Sequence, residues 1–350
     1  MKYLNYLFLF GFLLILAVGV ISFSTDFSFI KEAELKAAIS SVITGDKYGS
    51  LLAEKREVEL AKAKEIKLIL VGDLMLDRGV ANQIKKHGDF NYPFLNLADF
   101  LNSTDLVFGN LEGPISSGGV KQGSIYSFRF DPKVAEALRW AGFDVVSLAN
   151  NHILDYGSTA LLDTRSYLEE SGVKFAGAGK NYEEANGAAI LEVKSKKLAF
   201  LAYTNLLPKG LAAQGGQAGV SDFDVSKIKT KIKELKEKAD LVIVSMHWGE
   251  EYQPKVSLSQ QKIAHEFIEV GADLVVGHHP HVPEEIEQYK DGWIIYSLGN
   301  FVFDQNFSDE TMEGLVAEVK IIDGKIDSVE PIRVKINPTF QPYLEIENSN

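Results

Sequence analysis

The sequence predicts an α/β layered domain over residues 66–340, preceded by a membrane-spanning segment and a helical stalk. After Ile66, short apolar runs alternate with amphipathic segments, which is typical of strands that alternate with helices. Several of the apolar runs end directly in polar residues, and five of the seven histidines lie in such places. Because strand ends in an α/β sheet are where distant parts of a chain converge, both observations indicate a site built on this fold.

The composition is that of an ordinary globular protein. A chain of 350 residues with 46% hydrophobic and 24% charged residues can bury a sizeable core. Its net charge of -12 argues against nucleic acid as a partner, because nucleic-acid binding usually depends on clustered Lys and Arg. The sequence contains no cysteine, which excludes disulfides and thiolate zinc sites. Any metal would therefore need nitrogen and oxygen ligands.

Residues 1–25 are predicted to form a transmembrane signal anchor. The run Tyr6–Phe23 is uncharged and largely apolar, and about 20 helical residues cover the ~30 Å hydrocarbon core of a bilayer. A cleaved signal peptide is the alternative, although its apolar region is usually only roughly 7–15 residues long and the segment Ala17–Gly19 is a poor cleavage site. Lys2 before the run and acidic residues after it favour a single-pass cell-membrane protein whose domain is extracytoplasmic.

Residues 26–65 are predicted to form a helical stalk. The segment is polar and rich in Glu, Lys and Ala, which are good helix formers. Gly45 and Gly49 are expected to interrupt the helix. A solvated spacer between membrane and domain is the simplest interpretation.

The domain itself is predicted from its apolar runs. Six of them are expected to be strands: Lys67–Val71, Asp105–Phe108, Asp144–Leu148, Leu198–Tyr203, Leu241–Ser245 and Leu274–Val276. Four amphipathic segments are expected to be helices: Val134–Ala141, Thr159–Ser171, Val225–Lys238 and Ser259–Val270. Two later pairs of runs flank turns that contain Asp-Gly and predict hairpins: Glu285–Tyr289 with Trp293–Tyr296, and Leu315–Ile321 with Ile326–Val334. Residues 341–350 are expected to be a C-terminal tail.

The polar residues after the predicted strands mix carboxylate, amide and imidazole side chains. They are Asp73, Glu112, Asn150-Asn151-His152, His247 and His278-His279-Pro280-His281. This mixture suits a transition-metal centre. For any one of these residues alone, an unrelated polar position at a loop end is an equal alternative. For all of them together that alternative is poor.

Six short motifs occur in a fixed order between about residues 66 and 305. They are Gly72–Leu76 with Arg78, Gly109–Glu112, Ala149–Gly157, Met246–Gly249, Gly277–His281 and Ser297–Phe301. Each motif is weak alone, but the ordered set resembles the calcineurin-like metallophosphoesterases and, more closely, the CapA family of poly-γ-glutamate capsule synthesis proteins. The resemblance implies a metallophosphatase-like four-layer α/β/β/α sandwich. It also implies one or two divalent cations per chain, with Mn, Zn, Mg and Fe as the candidates.

The resemblance also implies roles for individual residues. The implied metal ligands are Asp73, Asn151, His247, His279 and His281, with Glu112 as a further carboxylate. Glu112 is considered because the wider superfamily has a bridging aspartate at the position of Asn110, and residues two apart on a strand share a face. Met75 likewise stands where that superfamily has a histidine. A thioether suits such centres poorly, so one metal is an alternative to two.

The remaining candidates are catalytic or substrate-binding groups. The resemblance implies that His152 protonates the leaving group, and Asp155 is expected either to orient the His152 ring or to cap a helix. Arg78 is a candidate anion clamp, with a surface salt bridge as the alternative. Trp248 is expected to stack on substrate or to belong to the core, and Asn300 is expected to line the pocket or to hold a turn.

For function, the resemblance implies a membrane-anchored, outward-facing protein of poly-γ-glutamate capsule or envelope-polymer metabolism, acting as a metal-dependent hydrolase. The expected partners are an anionic envelope polymer or its precursor, the membrane, and other membrane subunits of the capsule machinery. The net charge would oppose a polyanion unless Arg78, Lys121, Arg129 and Lys209 form a local positive site. The alternatives are a non-catalytic assembly or export subunit, and a phosphoesterase that acts on another substrate.

Overall fold

The computed structural model describes residues 65–345. The predicted membrane anchor and nearly all of the predicted stalk lie outside these residues. Within residues 65–345, none of the helices has the length and apolar character needed to cross a bilayer.

The described residues contain sixteen strands and seven α-helices. The strands are β1 Glu65–Leu74, β2 Leu106–Leu111, β3 Val145–Ser147, β4 Lys174–Ala176, β5 Ala178–Gly179, β6 Ala189–Val193, β7 Lys196–Thr204, β8 Gly219–Val220, β9 Leu241–His247, β10 Leu274–His278, β11 Ile286–Tyr289, β12 Gly292–Ile295, β13 Asn300–Val302, β14 Glu313–Ile322, β15 Lys325–Ile336 and β16 Pro342–Leu344. The helices are α1 Arg78–His87, α2 Ala98–Asn102, α3 Val134–Trp140, α4 Gly157–Ser171, α5 Tyr182–Ala185, α6 Val225–Lys236 and α7 Leu258–Glu269. Single turns of 3-10 helix lie at Tyr92–Phe94, Lys209–Leu211 and Glu310–Met312.

Two mixed sheets form the centre of the domain. The first has the strand order β16-β15-β14-β1-β2-β3-β4, and β13 also pairs with β1. The second has the order β11-β12-β10-β9-β7-β6, while β5 and β8 form a separate pair. Strands β1 to β4 run parallel to one another, as do β7, β9, β10 and β12. The carboxyl ends of the inner strands of each sheet therefore lie at one edge, where polar side chains can meet.

The alternation of side chains along each strand divides the apolar residues between three cores. In β1, Leu68 and Leu70 belong to a core that also contains Phe200 and Ile243 of the second sheet, so the two sheets pack face to face. Ring stacking of Phe108 on Phe200, with centroids 5.5 Å apart, lies in this layer. The intervening residues of β1 face the other way and pack with helices.

The outer faces of both sheets are covered by helices. Ile69 and Val71 of β1 share a core with Ile84 of α1 and Leu161 of α4. On the other side, Val242 and Val244 of β9 pack in a core with helices α6 and α7; the helical residues are Ile228, Ile232, Leu235, Ala264, Phe267 and Ile268. The order of layers is thus helix, sheet, sheet, helix, as the resemblance implied.

The predicted strands and helices are all present, with ends shifted by a few residues. Strand β1 begins at Glu65, and β16 pairs with β15 beyond residue 340, so residues 342–344 are part of the first sheet. Helix α1 and the edge strands β4 and β6 were not predicted, since each has too few regularly spaced apolar residues to produce a clear pattern.

Candidate metal centre

The carboxyl ends of β1 and β2 place Asp73 beside Asn110. The parallel register pairs Asp73 with Asn110 on one side and with Asn300 of β13 on the other. All three side chains are fully buried. The close approach of β13 depends on Gly72, because a Cβ at that position would lie 2.0 Å from the carbonyl oxygen of Gly299. Sequence-distant polar groups are thus brought together by strand pairing.

Asp73 is the centre of a hydrogen-bond network. Its Oδ1 accepts from Asn110 Nδ2 at 2.8 Å, and its Oδ2 accepts from the backbone N–H of His279 at 3.2 Å. The rings of His278 and His281 approach its two oxygens, with Nδ1 atoms at 3.4 Å and 3.2 Å respectively. Burial alone would raise the pKa of Asp73, but the contacts with His278 and His281 hold the pKa of this carboxyl well below its usual range. Asp73 is therefore an anion inside the domain.

Glu112 lies next to this network with one oxygen unused. Asn110 Nδ2 donates to Glu112 Oε2, whereas the buried Oε1 has no hydrogen-bond partner in residues 65–345. Burial and the charge of Asp73 raise the pKa of Glu112 well above its usual range. An orphaned carboxylate oxygen in the protein interior is costly, and it is explained most directly by a cation that would bind there.

His247 and Asn151 complete the surroundings of that oxygen. Nε2 of His247 lies 3.4 Å from Glu112 Oε1 and 2.8 Å from Asn151 Oδ1. Atoms that share one cation at about 2.1 Å lie roughly 3.0–3.4 Å from each other, so the separation of His247 Nε2 from Glu112 Oε1 suits a common ion, whereas its separation from Asn151 Oδ1 is that of a hydrogen bond. Ligand atoms of Glu112, His247 and His279 all lie within 4.8 Å of one another. We call Glu112, Asn151, His247 and His279 the inner group.

The imidazoles of the inner group are held in the neutral form that a metal requires. Burial, followed by the proximity of His279, lowers the pKa of His247 well below its usual range. Burial and the neighbouring His281 lower the pKa of His279 to about 3. Because a protonated ring has no free lone pair, these environments favour metal binding at neutral pH.

The His279–His281 segment has a strained backbone. His279 has a backbone φ of 99° and His281 a φ of 59°, values that residues other than glycine rarely adopt. Such conformations cost on the order of 1–3 kcal/mol each and cluster at functional sites. Nδ1 of His281 lies 3.0 Å from Asn300 Oδ1, which fixes the orientation of the ring.

His152 and Asp155 form a pair beside the centre. Nδ1 of His152 lies 2.8 Å from Asp155 Oδ2, and the same oxygen accepts from the backbone N–H of Phe128 at 2.8 Å. Helix α4 begins at Gly157 with Tyr156 in the N-cap position and no side-chain cap, so Asp155 orients the histidine instead of capping the helix. With Nδ1 engaged by a carboxylate, Nε2 of His152 is the nitrogen left to exchange a proton.

The protein-family comparison identifies the chain. Residues 67–305 match the model of the family described as "Bacterial capsule synthesis protein PGA_cap". The chain belongs to this family.

Similar curated proteins are named for capsule, PGA or polyglutamine synthesis. The chain is 34% identical over 261 residues to "Capsule biosynthesis protein CapA" of Bacillus anthracis, covering 72% of this chain and 63% of that protein. It is 33% identical over 267 residues to "PGA biosynthesis protein CapA" of Bacillus subtilis, covering 75% and 70%. A "Probable polyglutamine synthesis accessory protein" of Mycobacterium tuberculosis is 30% identical over 247 residues, covering 67% and 65%. The chain thus spans about two-thirds of the length of each relative.

Among solved structures, a hypothetical protein from Thermus thermophilus has the same fold. It superposes with a TM-score of 0.51 at 19% identity and covers 77% of this chain and 99% of that one. NAD nucleotidase of Haemophilus influenzae gives a TM-score of 0.48 at 13% identity, covering 81% of this chain and 60% of that one.

The six residues that the resemblance implied as metal ligands lie near one another, and the three residues expected to contact substrate have partners within the domain. Arg78 forms an ion pair with Asp304, which is the alternative considered for it. Asn300 is fully buried and uses its amide on His281, Gln305 and Thr311. The amide of Asn300 is therefore occupied, whereas Arg78 is partly exposed and its Nε has no hydrogen-bond partner in residues 65–345.

Trp248 requires a correction. Its side chain is fully buried in the core between the second sheet and its helices, and Nε1 donates to the carbonyl oxygen of Tyr296 at 3.0 Å. It stacks on the Tyr296 ring with centroids 6.3 Å apart. Trp248 therefore stabilises the strand end that carries His247 and does not stack on a substrate.

Three other side chains have partners inside the domain. His278 is fully buried, and its Nδ1 lies 3.4 Å from Asp73 Oδ1. Met75 is also buried, and its sulfur accepts from the backbone N–H of Asp77 at 3.2 Å, so it takes no part in the centre. Arg129 donates to the carbonyl oxygen of Gly118 and lies over the Tyr156 ring, so its guanidinium is already engaged.

The sequence reasoning missed Glu251. This exposed carboxylate lies in the loop after β9, and one of its oxygens is within 4.8 Å of ligand atoms of His279 and His281. Its only sequence signal is a position four residues after His247, which is weak because Glu250 precedes it in the same loop.

Proposed function

We propose that this capsule synthesis protein is a metal-dependent hydrolase. The observation that carries the proposal is the buried, unpartnered Oε1 of Glu112, which shares its surroundings with His247 Nε2 and Asn151 Oδ1. In a purely structural role this buried oxygen would have no hydrogen-bond partner, whereas a divalent cation would coordinate it. The imidazole and oxygen donors suit Mn, Zn, Fe or Mg, and the number of ions is one or two.

When bound, such a cation lowers the pKa of water and polarises a phosphoryl or carbonyl oxygen. The residues of the chain perform the rest of the reaction. The inner group supplies the nitrogen and oxygen lone pairs that would bind the cation. Asp73 holds His279 and His281 in place through its contacts with the backbone N–H of His279 and the ring of His281. His152, oriented by Asp155, gives its Nε2 proton to the leaving group.

We propose that the substrate is an anionic poly-glutamate envelope polymer or its precursor. The support is that curated relatives are named for capsule, PGA or polyglutamine synthesis. The apolar run Tyr6–Phe23 supports attachment to the cell membrane with the domain on the outer side. Other membrane subunits of the capsule machinery are the proposed partners.

The test is metal analysis of the purified full-length protein in detergent, combined with assays on bis-p-nitrophenyl phosphate and on poly-γ-glutamate. We expect stoichiometric divalent metal and hydrolysis of one of the two substrates, lost on chelation and restored by adding metal. A protein that binds no divalent metal after incubation with Mn, Zn, Fe or Mg salts would contradict the proposal.

A non-catalytic assembly or export subunit is the second candidate. The internal contacts of Asn300 and the burial of Trp248 favour it, because these two expected substrate contacts are already occupied. It predicts that a His152→Ala variant still supports polymer production in cells. The hydrolase proposal predicts that production or processing fails in the same variant.

A further inference from the structure

A loop beside His152 exposes three large apolar side chains. Residues 119–127 lie between β2 and α3, and we call them the 119–127 loop. Val120, Ile125 and Tyr126 have exposed fractions of 74%, 86% and 66%. Twelve large apolar side chains are exposed in residues 65–345, and these three fall within seven consecutive positions. Single exposed apolar residues are common in soluble proteins, but a local group of them indicates a binding surface.

The loop is bonded at two points to the residue that orients His152. The backbone N–H of Gln122 donates to the carbonyl oxygen of Asp155 at 2.9 Å. Directly after the loop, the backbone N–H of Phe128 donates to Asp155 Oδ2 at 2.8 Å, and the same oxygen contacts His152 Nδ1. The loop is thereby fixed on the side of the centre where His152 would meet the leaving group.

The ring of Phe128 forms the base of the loop. Its centroid lies 4.3 Å from that of the His152 ring, and Cζ of Arg78 lies 4.8 Å from the same centroid. Phe128 is only 3% exposed, so its ring has a fixed position between these two groups and the exposed part of the loop. Residues of the loop therefore leave the interior next to both His152 and Arg78.

The tip of the loop lies near the opposite side of the centre. Burial and the charge of Glu251 raise the pKa of Tyr252 to about 12, and the nearby Tyr126 adds to this rise. Tyr252 lies beside His281, with ring centroids 6.0 Å apart. Tyr126 and Tyr252 are thus neighbours at the mouth of the site, one from the side of His152 and one from the side of His281.

The two sides of this mouth differ in charge. Residues 119–127 contain Lys121 and neither Asp nor Glu. Lys121 is exposed and has no ion-pair partner in the described part of the chain. On the other side, Glu250 and Glu251 are exposed next to Tyr252. An anionic chain at the mouth is therefore repelled by the second side and attracted to the 119–127 loop.

We propose that the 119–127 loop binds the part of an anionic polyamide chain that lies on the leaving-group side of the centre. The inference rests on the proposed function, because it takes the polymer substrate from there. Each unit of a γ-linked glutamate chain carries one carboxylate, and methylene groups separate successive carboxylates. Ile125 and Tyr126 offer apolar surface to the methylene groups, and Lys121 offers a cation to the carboxylates. The loop thus contributes to the choice of substrate and not to the chemical step.

The test is calorimetric titration of poly-γ-glutamate into the Mn²⁺-treated full-length protein in detergent. Every protein in the titration carries His152→Ala, so that the polymer is not consumed. The double substitution Ile125→Ser with Tyr126→Ser should weaken polymer binding by about tenfold, because two apolar contacts are lost. Ile125→Leu with Tyr126→Phe keeps the apolar surface and should bind the polymer within about twofold of the protein with an unaltered loop.

Trp140→Ser is the matched control for the loss of an exposed aromatic ring. Trp140 is 44% exposed at the end of α3, which leads to the amino end of β3 and so to the edge of the sheet opposite the site. This control should change polymer affinity by less than about twofold. In proteins that retain His152, the Ser double substitution should raise KM for the polymer and leave kcat within about twofold. Thermal unfolding of each variant checks that the domain remains folded.

The outcomes separate this inference from the proposed function. If the protein with an unaltered loop and the Ser double variant bind the polymer equally, the inference is overturned and the proposed function stands. If the Ser substitutions change only the oligomeric state, measured by light scattering, the loop binds a second copy of the chain and the inference is again overturned. If no protein binds the polymer, the inference and the proposed substrate both fail, while metal analysis still tests the proposed cation.

Discussion

The inner group differs from the residues at the rim of the site, Arg78 and Glu251, in how the side chains are held in place. Glu112 and His247 come from strands or strand ends and are buried, and their positions follow from strand pairing. Arg78 and Glu251 lie beyond strand ends and are more exposed, and their positions depend on loop contacts such as the Arg78–Asp304 ion pair. The positions of the inner group therefore follow from strand pairing, while those of the rim residues follow from contacts between loops.

The largest expected effect is a loss of turnover when His152, which lies beside the inner group, is replaced. Replacing it with Ala should reduce turnover by about 10²–10⁴-fold, because a positioned general acid contributes on that order. Metal content should survive, whereas His281→Ala should reduce both metal content and turnover. Asp155→Asn should lower turnover less than His152→Ala, since it removes only the group that orients the ring. Equal activity in His152→Ala and the parent protein would contradict the assignment.

The inner group is tested by Glu112→Gln. The substitution keeps the size of the side chain but removes the anionic oxygen, so affinity for the first divalent ion should fall by at least about a hundredfold. The unfolding temperature of the metal-free variant should be unchanged or higher, because burial already favours the neutral form of Glu112. Calorimetric titration and thermal unfolding with and without metal check both. Unchanged affinity would show that Glu112 is not a ligand.

A smaller effect is expected when the support of a ligand is removed. Asn300→Ala deletes the acceptor for His281 Nδ1 while leaving the imidazole in place. Loss of such a supporting partner typically costs 10–100-fold in metal affinity, so we expect about tenfold. Asn337→Ala is a suitable control, because Asn337 is in the same domain and bonds to Thr339 and Gln341 away from the centre. If Asn300→Ala binds metal with the affinity of the parent protein, the contact of Asn300 with His281 does not contribute to metal binding.

The smallest expected effect is on stability and concerns the buried carboxyl of Glu284, which is outside the inner group. Glu284 is buried and accepts from Gln260 Nε2 at 2.9 Å, and burial raises its pKa to about 7. The folded state thus holds a proton that the unfolded state releases near pH 4.5, so this group's contribution to stability is lost as pH rises towards and through 7. Glu284→Gln should gain roughly 1–2 kcal/mol relative to the parent between pH 5 and pH 8, less than the full shift because solvent screens the site.

Urea unfolding of the metal-free proteins at the two pH values measures this difference. The parent should lose stability relative to the variant as pH rises. A constant difference across the range would mean that Glu284 is not held protonated by its surroundings.

The sequence pattern predicted the alternation of strands and helices and the meeting of polar residues at strand ends, because both depend on simple periodicity. Apolar runs locate the strands, and residues at the ends of parallel strands must meet at one edge of a sheet. Asp73 and His247 could be placed in this way. The resemblance to the calcineurin-like metallophosphoesterases then implied which of these residues would be ligands.

The rim could not be predicted for an equally physical reason. Whether Arg78 binds a substrate anion or pairs with Asp304 depends on a residue 226 positions away in sequence. The sequence around Trp248 likewise does not show whether its ring faces the core or the solvent. Glu251 becomes a candidate only when its loop is seen to be bonded to Pro280. Such contacts follow from tertiary structure and leave no periodic signal.

The most direct test of the central claim is anomalous X-ray diffraction from crystals of the protein loaded with Mn²⁺ or Zn²⁺. We predict an anomalous peak within coordination distance of Glu112 Oε1 and His247 Nε2, with Asn151 Oδ1 beside it. Metal-loaded crystals with no peak between these atoms, or with metal only at the protein surface, would contradict it.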